Sequence, residues 1–176
     1  MKINKNKAFT LIELLVVIVI IGILAGIGIA GFKEYQNKAK VAVAEAALVQ
    51  IQKAIVLAHT LEEEPLKDIT GNGCSGCNCR RYVSYELSSC TQNWENALDR
   101  ISEKSLIDLT EFKTDPWGFP FLLDENSGEF DENDCRLDLL GSAGPDGIVQ
   151  TSFSDAGNTL GDDIIFAIPQ YRKACL

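Results

Sequence analysis

The 176-residue chain contains one histidine, His59, which argues against both multi-histidine metal catalysis and a Ser-His-Asp triad. Positive charge is scarce as well. Three of the 16 basic residues (Lys2, Lys5, Lys7) precede Phe9, with no acid among them. The chain from Phe9 onward therefore carries 13 basic and 25 acidic residues, a formal −12. A surface of that sign repels phosphate backbones and argues against general nucleic-acid binding. It suits a soluble exterior domain or a divalent-cation site. No internal repeat and no catalytic constellation stands out, so the chain reads as a non-enzyme.

What is abundant is apolar sequence at one end. Residues 9–32, FTLIELLVVIVIIGILAGIGIAGF, form an almost unbroken apolar run without a single Lys or Arg. About 20 apolar helical residues cross a bilayer core. The basic leader 1–8 places the N-terminal side in the cytoplasm by the positive-inside rule and the body outside it. A cleaved secretory signal would have a shorter apolar core, roughly 7–15 residues, and would not run on into an amphipathic pattern. Glu13 fits neither that signal nor a plain anchor, because a carboxylate within an apolar span costs roughly 2.5–3.5 kcal/mol and calls for a partner.

Beyond the run, Val41, Ala44, Leu48, Ile51, Ile55 and Ala58 recur at three- and four-residue steps, one apolar stripe of a helix. One helix over about 10–60 is expected, apolar all round at first and amphipathic over 33–60. Gly22, Gly26, Gly28 and Gly31 suit close helix packing or local softening. Residues 61–176 form the globular body. There 94–101 reads as a short helix, 119–123, 129–131, 136–140 and 164–168 as strands, and Asn126-Ser127-Gly128 as a turn. The fold class is α+β, a long N-terminal helix packed on a small antiparallel sheet.

Lys7-Ala8-Phe9-Thr10-Leu11-Ile12-Glu13 resembles the class III signal of type IV pilins and type II secretion pseudopilins. The resemblance implies the pilin fold, cleavage by prepilin peptidase between Ala8 and Phe9, and N-methylation of Phe9. Ala8 stands where the family usually has Gly, and Ala30 where many members have Pro. The resemblance also supplies the partner of Glu13, the Phe9 amine of a neighbouring subunit, whose pairing selects the axial stagger. Asp115-Pro116-Trp117-Gly118 resembles a segment of the major pseudopilins, the closest subgroup, with Trp117 expected in the core. Two acidic stretches, 140–147 and 161–164, resemble that subgroup's calcium loop. It implies Asp146 and Asp162 as ligands, with Asp163 beside them and carbonyls at Ala143 and Ile148. Calcium is thus the expected cofactor. The stretch 150–160, QTSFSDAGNTL, reads as an insertion in that loop.

Six cysteines remain: Cys74, Cys77, Cys79, Cys90, Cys135 and Cys175. Cys74 to Cys90 offer four thiolates to zinc, and Cys74-Ser75-Gly76-Cys77 is a possible redox motif. The extracytoplasmic placement favours structural disulfides over both, with fifteen pairings open. The pilin resemblance implies that Cys135–Cys175 pins the C-terminus to the sheet.

These readings converge on a single-pass inner-membrane protein with its body in the periplasm or outside. Its partners would be prepilin peptidase, the inner-membrane assembly machinery and copies of itself in a pseudopilus or type IV pilus. The competing reading is a membrane-anchored zinc or thiol-redox protein. DNA uptake is disfavoured by the charge, Arg80-Arg81 notwithstanding.

Overall fold

The computed structural model describes residues 9–72, 74–76, 79, 88–127, 135–151, 159–171 and 175, with backbone alone at 27–31 and 88. Helix α1 runs unbroken over Leu11–Glu62. It passes through Gly22–Gly31 as helix. It ends at Glu63, whose φ of 59° is left-handed and whose N–H donates to the His59 carbonyl at 3.0 Å, just ahead of Pro65.

The chain divides into two units, Met1–Ala39 and Lys40–Leu176. In the first, the described side chains from Phe9 to Gly26 are all exposed, Leu11 at 83% and Leu24 at 65%. An added Cβ at Gly22 or Gly26 would meet nothing within 4 Å, so nothing in the described chain requires glycine there.

In the second unit the helical period becomes burial. Ala44, Ala47, Leu48, Ile51, Ala54, Ile55, Ala58 and His59 are buried as one stripe. Stretch 32–62 is apolar and long enough to span a membrane, but this stripe identifies its second half as a core helix.

Helix α2 (Leu66–Thr70) follows Pro65. Helix α3 covers Ser88–Ser105, well beyond the expected 94–101. It lays Trp94, Ala97, Leu98 and Ile101 into the core. A 3₁₀ turn over Thr110–Phe112 lets the Phe112 carbonyl accept the Trp94 indole N–H at 3.1 Å.

Among the described residues three strands close the core: β1 (Leu122–Asp124), β2 (Leu139–Ser142) and β3 (Ile164–Ala167), antiparallel in that order. Strand β2 begins three residues later than expected, and 129–131 lies outside the described residues. Leu123 and Leu140 pair across β1 and β2 and face α1 and α3 in one core with Phe121 and Ile168. Gln52 Nε2 donates to the Ala167 carbonyl at 2.7 Å and ties α1 to β3.

Candidate functional site

Two places collect the residues singled out by sequence. The first is the start of α1. Thr10 precedes the helix, and Glu13 is its third residue. The Thr10 N–H and hydroxyl each donate to Glu13 Oε2 at 2.8 Å, and the Glu13 N–H donates back to Thr10 Oγ1 at 3.4 Å. This is a capping box, in which the two side chains satisfy donors that the helix leaves open. Thr10-Leu11-Ile12-Glu13 carries that S/T-x-x-E spacing in plain view. A sequence argument that seeks only a charged partner for Glu13 passes over it. The box uses one oxygen; Oε1 takes no bond among the described residues. Ala8 lies outside them.

The second is the connection between β2 and β3. Ser142 pairs with Ile164, so Ala143 and Asp163 leave opposite sides of one closing pair. Asp146 accepts the Ile148 N–H at 2.7 Å and Gln150 Nε2 at 2.8 Å. Asp163 Oδ2 accepts the Gln150 and Thr151 N–H groups at 2.9 and 2.6 Å. Its other oxygen, Oδ1, is buried with no hydrogen-bond partner among the described residues. Asp162 lies against Gly144: a Cβ there would collide with the Asp162 carbonyl oxygen and come within 3.1 Å of its carboxyl carbon. Gly144 and Gly147 both take left-handed φ, 67° and 66°. No group of three carboxylate, imidazole or thiol side chains able to hold a metal occurs among the described residues.

The turn at 115–119 adjoins this loop. Asp115 is buried, and its Oδ1 accepts the Trp117 and Phe119 N–H groups at 3.0 and 2.9 Å. Its Oδ2 accepts the Ser142 hydroxyl at 2.6 Å. Burial pushes the Asp115 carboxyl up, opposed by those bonds. Trp117 is only half-buried, contrary to expectation; the core tryptophan is Trp94. Proline and glycine hold residue 117 in a tight turn at the surface, whereas Trp94 sits on the inward face of a helix.

Cys79–Cys90 and Cys135–Cys175 are disulfides, and Cys74 is disulfide-bonded as well. The second pairing is the one expected. The first removes two thiolates from the zinc set. Cys77 lies outside the described residues. The Cys79–Cys90 bridge packs with Leu122, Phe119, Val149 and Ala143 beneath the acidic loop. Glu125, which drew no attention in the sequence, is fully buried and gathers the 70–75 segment. It accepts the Thr70 hydroxyl at 2.8 Å, the Ser75 N–H at 2.7 Å and the Ser75 hydroxyl. Burial pushes its carboxyl up to about 7. Only the fold brings these distant residues together.

The family described as "Prokaryotic N-terminal methylation motif" matches residues 3–29. The chain is 40% identical over 83 residues to "Prepilin peptidase-dependent protein D" of Escherichia coli (strain K12). That covers 46% of this chain and 56% of the relative, so the chain spans little more than half of the relative it matches. No solved structure matches.

Proposed function

We propose that this chain, a type IV pilin-like protein by its methylation motif and by its long helix on a small antiparallel sheet, is a structural subunit of a secretion pseudopilus or type IV pilus. Prepilin peptidase cuts between Ala8 and Phe9 and methylates the new amine. Residues 9–32 anchor the subunit in the inner membrane, with the body on the far side, until assembly machinery draws it into a filament of its own copies. The relative's name supports dependence on prepilin peptidase.

The observation that carries this reading is Glu13, a carboxylate in the exposed, otherwise apolar first part of a helix that starts two residues after the cleavage site. Its capping box uses Oε2 and leaves Oε1 to accept the methylated amine of a neighbour. In lipid an uncompensated carboxylate costs several kcal/mol, so a subunit gains by entering a position where an amine meets it. Glu13→Ala should therefore insert normally, because a charge is removed from the span, yet give far less filament. Filament yield from cells expressing the variant is the readout; wild-type yield would mean that Glu13 has no part in assembly.

Calcium in the 143–163 loop belongs to the same reading. Calcium takes about 6–8 oxygens, many of them carbonyls, so it does not require three converging carboxylates. A buried, unpartnered Asp163 oxygen and the Asp162 carboxyl group beside a left-handed turn fit such an ion. Asp146, Asp162, Asp163 and the carbonyls of Ala143 and Ile148 would hold it. The bound ion would neutralise the loop's acids and hold the turn against β3, giving neighbouring subunits a fixed surface. A wild-type chain that takes up no calcium contradicts this part of the reading.

A further inference from the structure

We propose that the Asp115-Pro116-Trp117-Gly118 turn sets the shape of the acidic loop, with Asp115 and Ser142 as positioning residues for the cation. This rests on the calcium reading above.

Asp115 raises a question that its own turn does not answer. The two N–H groups it caps, from Trp117 and Phe119, both go to Oδ1. An asparagine carbonyl would serve them equally, without the cost of burying a charge. What asparagine lacks is a second acceptor. Oδ2 uses that capacity on the Ser142 hydroxyl, 27 residues away in sequence, at 2.6 Å.

The serine passes the bond on. With its proton committed to Asp115, Ser142 Oγ presents lone pairs, and the Gly144 N–H donates to it at 3.1 Å. Donor and acceptor bonds in such a chain strengthen one another in a buried setting. Gly144 is the residue against which Asp162 lies, so the chain runs from the Asp115 carboxylate to the backbone that carries a proposed ligand.

A second contact supports the far end of the same turn. A Cβ on Gly147 would lie 2.5 Å from Cζ of Phe119, so the ring fills the space under that glycine. Phe119 also packs on the cluster that contains Ala143. The 115–119 turn thus meets the loop at Ser142–Gly144 and again at Gly147. Both segments return to β1 or β2 within a few residues, so a shift in one is transmitted to the other.

Removing a partner just outside a metal's own ligands typically costs about 10–100-fold in affinity. The test uses the full chain in detergent, titrated with calcium by calorimetry, alongside the thermal midpoint in chelator. Wild type should bind. Ser142→Ala should bind roughly tenfold or more weakly. Asp115→Asn, a milder change that keeps the turn's own bonds, should also bind more weakly. The double variant should be little worse than the poorer single one, because both act through one hydrogen-bond chain. A midpoint lowered in chelator with calcium affinity unchanged in both variants would make the two residues merely structural and overturn the inference while leaving the calcium reading intact. Additive losses would overturn the shared chain. A wild type that does not bind would overturn calcium and the inference together.

Discussion

Glu125 shows how burial turns an ordinary acid into a pH-sensitive clamp. Its carboxyl lies at about 7 in the folded chain against 4.5 as the ordinary value, because desolvation outweighs the donors around it. The folded state therefore holds a proton that the unfolded state has released between those two values. Stability contributed by this group is full below about 4.5 and is lost as pH rises through about 7. Thermal midpoints of wild type and Glu125→Gln, taken at about pH 5 and about pH 8, separate this slope from that of the remaining acids. Wild type should lose ground to the variant at the higher pH; a constant difference would contradict the assignment. His59 is the opposite case: its burial lowers the imidazole, and its ring stacks on Tyr171 at 5.0 Å. A glutamate among Asp124, Asn126 and Ser127 gives no hint of either property in sequence, since the partners that bury it are 50 and 55 residues away.

The elements were legible to the extent that their periodicity was. Alternating three- and four-residue steps from Val41 to Ala58 located the buried stripe of α1, and Pro65 marked its end to within a turn. Strand β3 was legible because Ile164 to Ile168 is a compact apolar run. Helix α3 was underestimated because its first turns, SSCTQN, are polar and show no stripe before Trp94. Strand β2 was misplaced because Arg136 and Asp138, half-buried or buried beside Asn126 and Ser127, sit in a segment that pairs as strand only from Leu139. Covalent pinning compensates for how short these strands are. Cys135–Cys175 closes 40 residues that include β2 and β3. Opening such a loop costs about 2–4 kcal/mol through the entropy of the unfolded chain. Cys175→Ser with Cys135→Ser should lower stability by that amount in denaturant titration of the full chain, and an unchanged midpoint would show that the sheet holds itself.

Taken as one chain, the sequence divides its tasks by composition. A short basic leader comes first, then an apolar segment without basic residues, then a body over 61–176 with 22 acids against nine bases. The helix joins them, exposed throughout its described first part and one-sided in its second. The Phe-Thr-Leu-Ile-Glu string was readable without a structure, because a motif of contiguous residues needs no fold to assemble it. The links from Asp115 to Ser142 and from Glu125 to Ser75 were not, because each joins segments that only the folded sheet brings together.

Processing is the event on which the subunit reading depends, since it creates the amine that Glu13 is proposed to meet. Intact-mass analysis of the native protein from membranes measures it directly. The pilin reading predicts a chain that begins at Phe9 and is heavier than its bare sequence by one N-methyl group. A mature chain that retains residues 1–8 would contradict it.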